Sequence, residues 1–220
     1  MRMRALVRVQ ALSGLAFAFF LVLHLATTSA GVGGPAAYDA TLSVVRRVYR
    51  PVLAVEIVLI AVPLLVHVAC AIVQIVDRRR RAISPTSPLV HRLAGYVLLV
   101  AIGGHVFATR VMPAMGTGPA DFSYLAYSLL NWPIFMRPYY VLLGVAGAVH
   151  LVVGASIATR VLFHARPGLP LVGAAAALAA IVVGAGAIGL IAGAPYAART
   201  RFSEFRELYE RFLPLLPPRF

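Results

Sequence analysis

Apolar residues fill five long stretches of the chain, and polar residues are concentrated between them. The stretches lie at roughly 9–30, 52–76, 93–111, 139–162 and 172–194. Each is close to the ~20 residues that an α-helix needs to cross about 30 Å of hydrocarbon. None shows the two-residue alternation of a membrane β-barrel strand. The pattern predicts an all-α integral membrane protein: a bundle of five transmembrane helices in a single membrane domain, 1–220.

The segments outside the five stretches carry two further patterns. In the interfacial tail, 199–220, the run "RFSEFRELYERF" places aromatic residues at near-helical spacing with charges between them. This spacing predicts a C-terminal amphipathic helix that lies on the membrane. The segment 112–137 is rich in glycine and proline and contains Trp132, which suits an ordered interfacial cover.

The charge is strongly positive but is placed at the membrane edges. Of the 220 residues, 61% are hydrophobic and 12% charged, against about 25% charged in soluble proteins. The net charge of +13 comes from arginines. Because these arginines lie where apolar stretches end, they indicate residues that anchor helix ends at the membrane surface rather than a nucleic-acid-binding surface. The arginines divide equally between the two sides, but the densest run, Arg78–Arg81, lies in a short loop. That run favours a cytoplasmic N-terminus and binding to anionic lipid or an acidic partner.

The first apolar stretch also has features of a secretory signal peptide, with cleavage after Ala30. It is longer than the usual apolar core of about 7–15 residues, and it contains His24, so a membrane helix is the better interpretation.

The single cysteine, Cys70, allows neither a disulfide framework nor a CxxC site.

Each of the first four stretches contains one histidine, and their positions repeat. The ten-residue spacing from Gly14 to His24 recurs from Gly95 to His105. The second and fourth stretches carry His67 and His150, each after a valine. The chain is therefore predicted to consist of two helical hairpins with one histidine per helix, followed by a fifth helix without one.

The depths of these histidines form two matched pairs. At 1.5 Å per residue, His24 lies about 22 Å and His105 about 18 Å from the starts of their helices. His67 and His150 lie about 22 Å and about 17 Å from the starts of helices that run the opposite way. We therefore expect His24 and His105 at one level of the bundle, and His67 and His150 at the other.

Two imidazoles at one depth on different helices can bind an iron from both axial sides, which predicts a haem at each level. A single intramembrane histidine could instead hydrogen-bond a neighbouring helix or relay protons. Four unpaired polar side chains would each cost a few kcal/mol in hydrocarbon, so four at matched depths favour a common role. Zinc is a rival metal, but no nearby cysteine or carboxylate completes a tetrahedral site.

Glu56 is the one carboxylate well inside an apolar stretch, eleven residues before His67. Eleven residues are close to three helical turns, so the two side chains are expected on nearly the same face. Two interpretations of Glu56 stay open. In one, Glu56 exchanges a proton with a quinone; in the other, it caps the helix end or pairs with Arg50. Asp39 and Tyr38 are weaker candidates for the quinone site, and Pro63 is expected to kink the second helix.

The segments "SGLAFAFFLVLHL", "EIVLIAVPLLVH" and "AVHLVVG", with the spacing of the four histidines, resemble a known family. It is the di-haem cytochrome b membrane anchor of succinate:quinone oxidoreductases, in the single-polypeptide five-helix form of succinate:menaquinone and fumarate reductases. The resemblance covers about 12–163 of the chain. It implies two haems b, the distal one bound by His24 and His105 and the proximal one by His67 and His150. It also implies menaquinone or a related quinone, for which Glu56 is the candidate contact under the first of its two interpretations.

The resemblance further implies partners and a location. Flavoprotein and iron–sulfur subunits would carry the dicarboxylate chemistry, because this chain has neither a GxGxxG flavin fingerprint nor cysteine clusters. The location implied is the bacterial cytoplasmic membrane, and a higher oligomer of the complex stays open. Some members carry a glutamate two residues before the fourth ligand, where this chain has Ala148, so a proton path through that residue is not expected.

Two other functions fit the same pattern. One is a different bis-histidine cytochrome b, such as a hydrogenase subunit or a b561-like reductase. The other is a haem-free proton-coupled transporter or structural anchor that uses the histidines as relays.

Overall fold

Five helices of the protein are long and apolar enough to cross a membrane. They are α1 (Arg2–Ser29), α3 (Leu53–Glu56, Ile57–Ala61 and Val62–Arg80), α4 (Leu89–Val106, Phe107–Val111 and Met112–Ala114), α6 (Pro133–Phe163) and α7 (Leu169–Gly193). Three shorter helices are α2 (Pro35–Tyr49), α5 (Phe122–Asn131) and α8 (Phe202–Phe212). The computed structural model describes residues 2–50, 52–80, 88–116, 118, 120–165 and 168–214. The prediction of an all-α membrane bundle with five spanning helices and a C-terminal amphipathic helix is confirmed.

The four histidine-bearing helices surround a common centre. Neighbouring pairs pack in the order α3, α1, α6, α4, and α7 packs against both α1 and α6. Within the described ranges α3 and α4 have no extensive interface, so that side of the four-helix group is the open one. As a result, α1 faces α4 across one diagonal, and α3 faces α6 across the other.

Glycines set the close approach of α7 to α1. A β-carbon at Gly186 would overlap the backbone oxygen of Thr28 and lie 2.7 Å from the Cα of Ser29. A β-carbon at Gly189 would overlap the backbone oxygen of Gly31. Only residues without a side chain allow two backbones to come this near, so α7 is held tightly against the end of α1.

Two spanning helices contain a widened π-helical turn. The turn in α3 is Ile57–Ala61 and the turn in α4 is Phe107–Val111. Each is followed two positions later by a proline, Pro63 or Pro113, whose ring nitrogen donates no hydrogen bond to the helix. Where the sequence predicted a kink at Pro63, the structure has a widened turn just before it.

The three shorter helices cover one end of the bundle, which we term the capped end. Asp39 of α2 accepts a hydrogen bond from the backbone N–H of Phe122 at 2.9 Å, at the start of α5. Asp121 caps α5 by accepting from the N–H of Tyr124 at 3.0 Å, and Arg201, next to α8, pairs with Asp121 at 3.1 Å. These contacts hold α5, which lies within the segment 112–137, against α2 and the start of α8.

The apolar face of α8 packs against protein. Phe202, Phe205 and Tyr209 are buried in one cluster with Tyr127 of α5 and Met112 of α4. The expectation that this helix lies on the membrane is therefore corrected. Amphipathic spacing predicts an apolar face but does not distinguish lipid from protein as the surface that the face covers.

Candidate functional site

Two pairs of imidazole rings lie at the centre of the four-helix group. The rings of His24 and His105 have centroids 5.8 Å apart and planes inclined at 68°. The rings of His67 and His150 have centroids 6.1 Å apart and planes inclined at 88°. We name them the His24 pair and the His67 pair. Each joins two diagonally opposite helices, and the His24 pair is the nearer to the capped end.

The separations within both pairs suit a single metal ion between two rings. With metal–nitrogen bonds of about 2.0–2.1 Å, two axial imidazoles on one metal have centroids roughly 6 Å apart. In the described part of the chain, no group of three or more histidine, cysteine, aspartate or glutamate side chains is placed to hold a metal. Each ring pair supplies two imidazole donors from opposite helices, which fits axial ligation of haem iron better than the four-ligand shell of structural zinc.

The backbone of the preceding spanning helix orients each ring of the His67 pair: α1 orients His67, and α4 orients His150. The Nδ1 atom of His67 lies 3.1 Å from the backbone oxygen of Gln10, and Nδ1 of His150 lies 3.3 Å from that of His91. An Nδ1–H that donates to a carbonyl leaves Nε2 with its lone pair free to bind a metal. Gln10 and His91 each stand four residues before the glycine of the repeat, so the repeat extends to these carbonyls.

The two repeat glycines lie against the rings of the same pair. A β-carbon on Gly14 would lie 2.9 Å from Nδ1 of His67, and one on Gly95 would lie 3.1 Å from Cε1 of His150. Any larger residue would push the ring away. The glycines, which the sequence singled out only for their spacing to His24 and His105, thus provide clearance for the histidines of the other pair.

The His24 pair has its own repeated contacts. The hydroxyl of Thr27 donates to the backbone oxygen of His24 at 2.6 Å, and that of Thr109 donates to the backbone oxygen of His105 at 2.7 Å. The ring of Phe20 stacks on His24 with centroids 5.4 Å apart. Nδ1 of His105 is buried and has no hydrogen-bond partner among the described residues. A buried ring nitrogen without a partner is rare in folded proteins, and a ligand atom would satisfy it.

His91 is a member of the site that sequence reasoning left out. Its ring stacks on that of His150 with centroids 4.2 Å apart and planes inclined at 16°. His91 stands just before the third apolar stretch, 93–111, and the spacing of the four histidines within the stretches does not include it. The alignment of His91 with Gln10 in the repeat was the signal that could have found it. His164 ends α6 in a left-handed conformation, φ 58°, and is exposed.

Glu56 lies between two arginines. Its carboxylate accepts two hydrogen bonds from Arg110, from Nε at 2.7 Å and from one terminal nitrogen at 2.9 Å. Nε of Arg50 lies 3.0 Å from the same carboxylate but is not directed at it, so this contact is an ion pair without a hydrogen bond. The pairing with Arg50 was one of the two interpretations that the sequence left open, and Arg110 was not foreseen.

The widened turn of α3 changes the relation between Glu56 and His67. The expectation of a shared face assumed regular α-helix between them. A π-helical turn adds one residue to the turn and therefore rotates Glu56 by about 100° relative to His67. Glu56 consequently points toward α4, where Arg110 meets it.

The weaker quinone candidates lie at the capped end. Asp39 binds the N–H of Phe122, and the ring of Tyr38 packs on that of Phe122 with centroids 6.1 Å apart. Burial raises the pKa of both groups above their ordinary values. The carboxylate of Asp39 thus has a structural role, which is to accept the hydrogen bond from Phe122.

The end of the predicted arginine run, Arg81, falls outside the described part of the chain. The side chains of Arg78–Arg80 are likewise not described.

Comparison with protein-family models, with curated proteins and with solved structures finds no match to this chain. Its function is therefore inferred from the histidine pairs, the charged groups beside them and the membrane-spanning architecture.

Proposed function

We propose that the protein is the membrane anchor and electron-transfer subunit of a succinate:menaquinone or quinol:fumarate oxidoreductase. In this role it would pass electrons between an iron–sulfur subunit and membrane quinone through two bis-histidine haems b. The observation that carries the proposal is the diagonal placement of two histidine pairs at two levels, 5.8 Å and 6.1 Å between ring centroids. Haem b, when bound, supplies an iron that accepts and releases one electron.

The chain contributes ligands and their orientation. His24 and His105 would hold one haem, and His67 and His150 the other. The carbonyls of Gln10 and His91 hold the Nδ1 side of the His67 pair, which would leave Nε2 of each ring free to bind the haem iron. The apolar helices around the pairs exclude water and lower the local dielectric, which is one means by which a protein sets a haem potential.

The quinone contact is proposed at the level of the His24 pair. Glu56, Arg50 and Arg110 meet there, close to the membrane edge at the capped end. The guanidinium groups can donate hydrogen bonds to quinone carbonyl oxygens, and Glu56 holds the two arginines in place.

The partners and the location follow from the same proposal. The flavoprotein and iron–sulfur subunits would dock at the end opposite the capped end, on the cytoplasmic side of a bacterial inner membrane, with the N-terminus inside. Succinate or fumarate would be bound by the flavoprotein and not by this chain.

The test is a haem count with ligand variants. Purified wild-type protein made with adequate haem supply should give two haems b per chain in a pyridine haemochrome assay. His24→Ala and His105→Ala should each lose the same haem, and His67→Ala and His150→Ala should each lose the other. Reduced-minus-oxidised optical spectra identify which haem is lost.

His164→Asn is the matched control, because His164 is exposed and asparagine tolerates its left-handed conformation. That variant should retain both haems. A folded wild-type protein without haem would overturn the proposal and favour a proton-coupled transporter. Two haems with no succinate-active flavoprotein on co-purification from native membranes would favour a hydrogenase or b561-like cytochrome.

A further inference from the structure

The ion pair between Glu56 and Arg110 bridges the open side of the four-helix group. Glu56 lies on α3 and Arg110 on α4, two helices that share no extensive interface within the described residues. The two bonds, 2.7 Å and 2.9 Å, form a bidentate carboxylate–guanidinium contact, which is the strongest common geometry for such a pair. The bridge therefore joins the two helices where helix packing does not.

Both ends of this bridge depend on a π-helical turn. Arg110 lies within the turn Phe107–Val111, five residues after His105. Five residues of regular α-helix would leave Arg110 about 140° from the face of His105, and the wider turn in which Arg110 lies reduces that angle. In α3, the turn Ile57–Ala61 rotates Glu56 toward α4. The two widened turns therefore direct a carboxylate and a guanidinium to one point, five residues beyond His105 toward the capped end.

The bridge is part of a cluster that carries a net positive charge. Glu56 contributes one negative charge, and Arg50 and Arg110 contribute one positive charge each. The side chain of Glu56 is only 13% exposed, so water screens the cluster incompletely. Arg50 stands over the ring of Tyr49, which packs on Phe20 at 4.9 Å between centroids, and Phe20 in turn stacks on His24. A redox centre held by the His24 pair would therefore experience the balance of these charges.

We propose that Glu56 and Arg110 are positioning residues that bridge α3 to α4 and set the reduction potential of the haem at the His24 pair. This inference rests on the proposed function, since it needs a haem at that pair. A negative charge near a haem stabilises the oxidised form, and a positive charge stabilises the reduced form. The two charges of the bridge oppose each other, and their balance determines the potential.

The experiment is a potentiometric titration of both haems in wild-type protein, Glu56→Gln, Arg110→Gln and the double variant. Removing the carboxylate should raise the potential of the haem at the His24 pair, and removing the guanidinium should lower it. The double variant removes one charge of each sign and leaves two amides that can hydrogen-bond, so its potential should return close to the wild-type value. The haem at the His67 pair, on the far side of the bundle, is the internal control and should not shift.

If the bridge acted only through structure, either single variant would already break it, so both single variants and the double variant would shift the potential in the same direction by about the same amount. That result would overturn the inference. Loss of quinone turnover in Glu56→Gln with unchanged potentials would also overturn it, and would assign Glu56 to proton exchange. A wild-type protein without haem overturns this inference together with the proposed function. Two haems whose potentials do not respond overturn this inference alone.

Discussion

Gly14 and His67 are in contact across two helices, with only enough space for a hydrogen atom on the glycine. A β-carbon at position 14 would lie 2.9 Å from Nδ1 of His67, the atom that is 3.1 Å from the backbone oxygen of Gln10. The glycine therefore protects the hydrogen bond that orients the imidazole. Its counterpart, Gly95, stands in the same relation to His150.

On the proposed function, Gly14→Ala should weaken haem binding at the His67 pair and leave binding at the His24 pair in place. The added methyl group displaces the ring from the Gln10 carbonyl, and loss of such an orienting contact typically lowers metal affinity about 10–100-fold. Haem retention at each level, followed optically during competition with apomyoglobin, measures the effect. Gly173→Ala is the control, because a β-carbon there meets nothing within 4 Å.

If Gly14→Ala and Gly173→Ala lost haem equally, the Gly14 contact would have no specific role. Equal loss of both haems in Gly14→Ala would indicate general disruption of the bundle instead.

Gly186→Ala should destabilise the bundle without removing any histidine contact. Its β-carbon would overlap the backbone oxygen of Thr28, and backbone cannot move aside as a flexible side chain can. We expect a loss of about 1–3 kcal/mol in the free energy of unfolding, the usual range for overpacking. Thermal unfolding in detergent measures it, again with Gly173→Ala as the matched helix variant. An unchanged midpoint would show that α7 can move away from α1 at no cost.

Asp39 should make the stability of the capped end depend on pH. Burial raises the pKa of this carboxyl above its ordinary value of 3.8, so the folded protein holds its proton to a higher pH than the unfolded chain does. The contribution of Asp39 to stability is complete below pH 3.8 and decreases as the pH rises through the folded-state pKa.

Asp39→Asn should abolish that decrease, because the amide oxygen still accepts from the N–H of Phe122 and does not titrate. Unfolding midpoints of both proteins from about pH 3 to pH 7 give the comparison. A difference between them that stays constant across this range would contradict the prediction.

The bundle was predictable because its determinants are local. Length and hydropathy identify a spanning helix, and alternation of helix direction assigns His24 and His105 to one level without any knowledge of packing. The sequence also supplied the repeat from which the two hairpins were inferred.

The contacts around the histidines were not predictable, because each depends on which backbone lies beside which ring. Nothing in the residue types shows that the carbonyl of Gln10 meets His67, or that His91 stacks on His150. Arg110 looked like a membrane anchor at the end of an apolar stretch, since positive residues usually have that role there. The π turns that bring Arg110 to Glu56 insert one residue into a helix and leave its apolar pattern almost unchanged.

The cover at the capped end was only partly predictable. The composition of 112–137 suggested an ordered segment, but α2 was not foreseen. The apolar face of α8 was foreseen, and its true neighbour, α5, was not. A short amphipathic helix buries its apolar face against lipid or against another helix, and the sequence alone does not distinguish the two surfaces.

Each histidine pair takes one ring from either half of the repeat: His24 and His67 come from the first hairpin, and His105 and His150 from the second. Neither hairpin can complete a binding site by itself. A ligand that joins either pair therefore also fastens the two halves to each other, and its binding free energy adds to the stability of their association. Separation of the halves would open both pairs at once, so, on the proposed function, assembly of the bundle and binding at the two levels would be one coupled equilibrium.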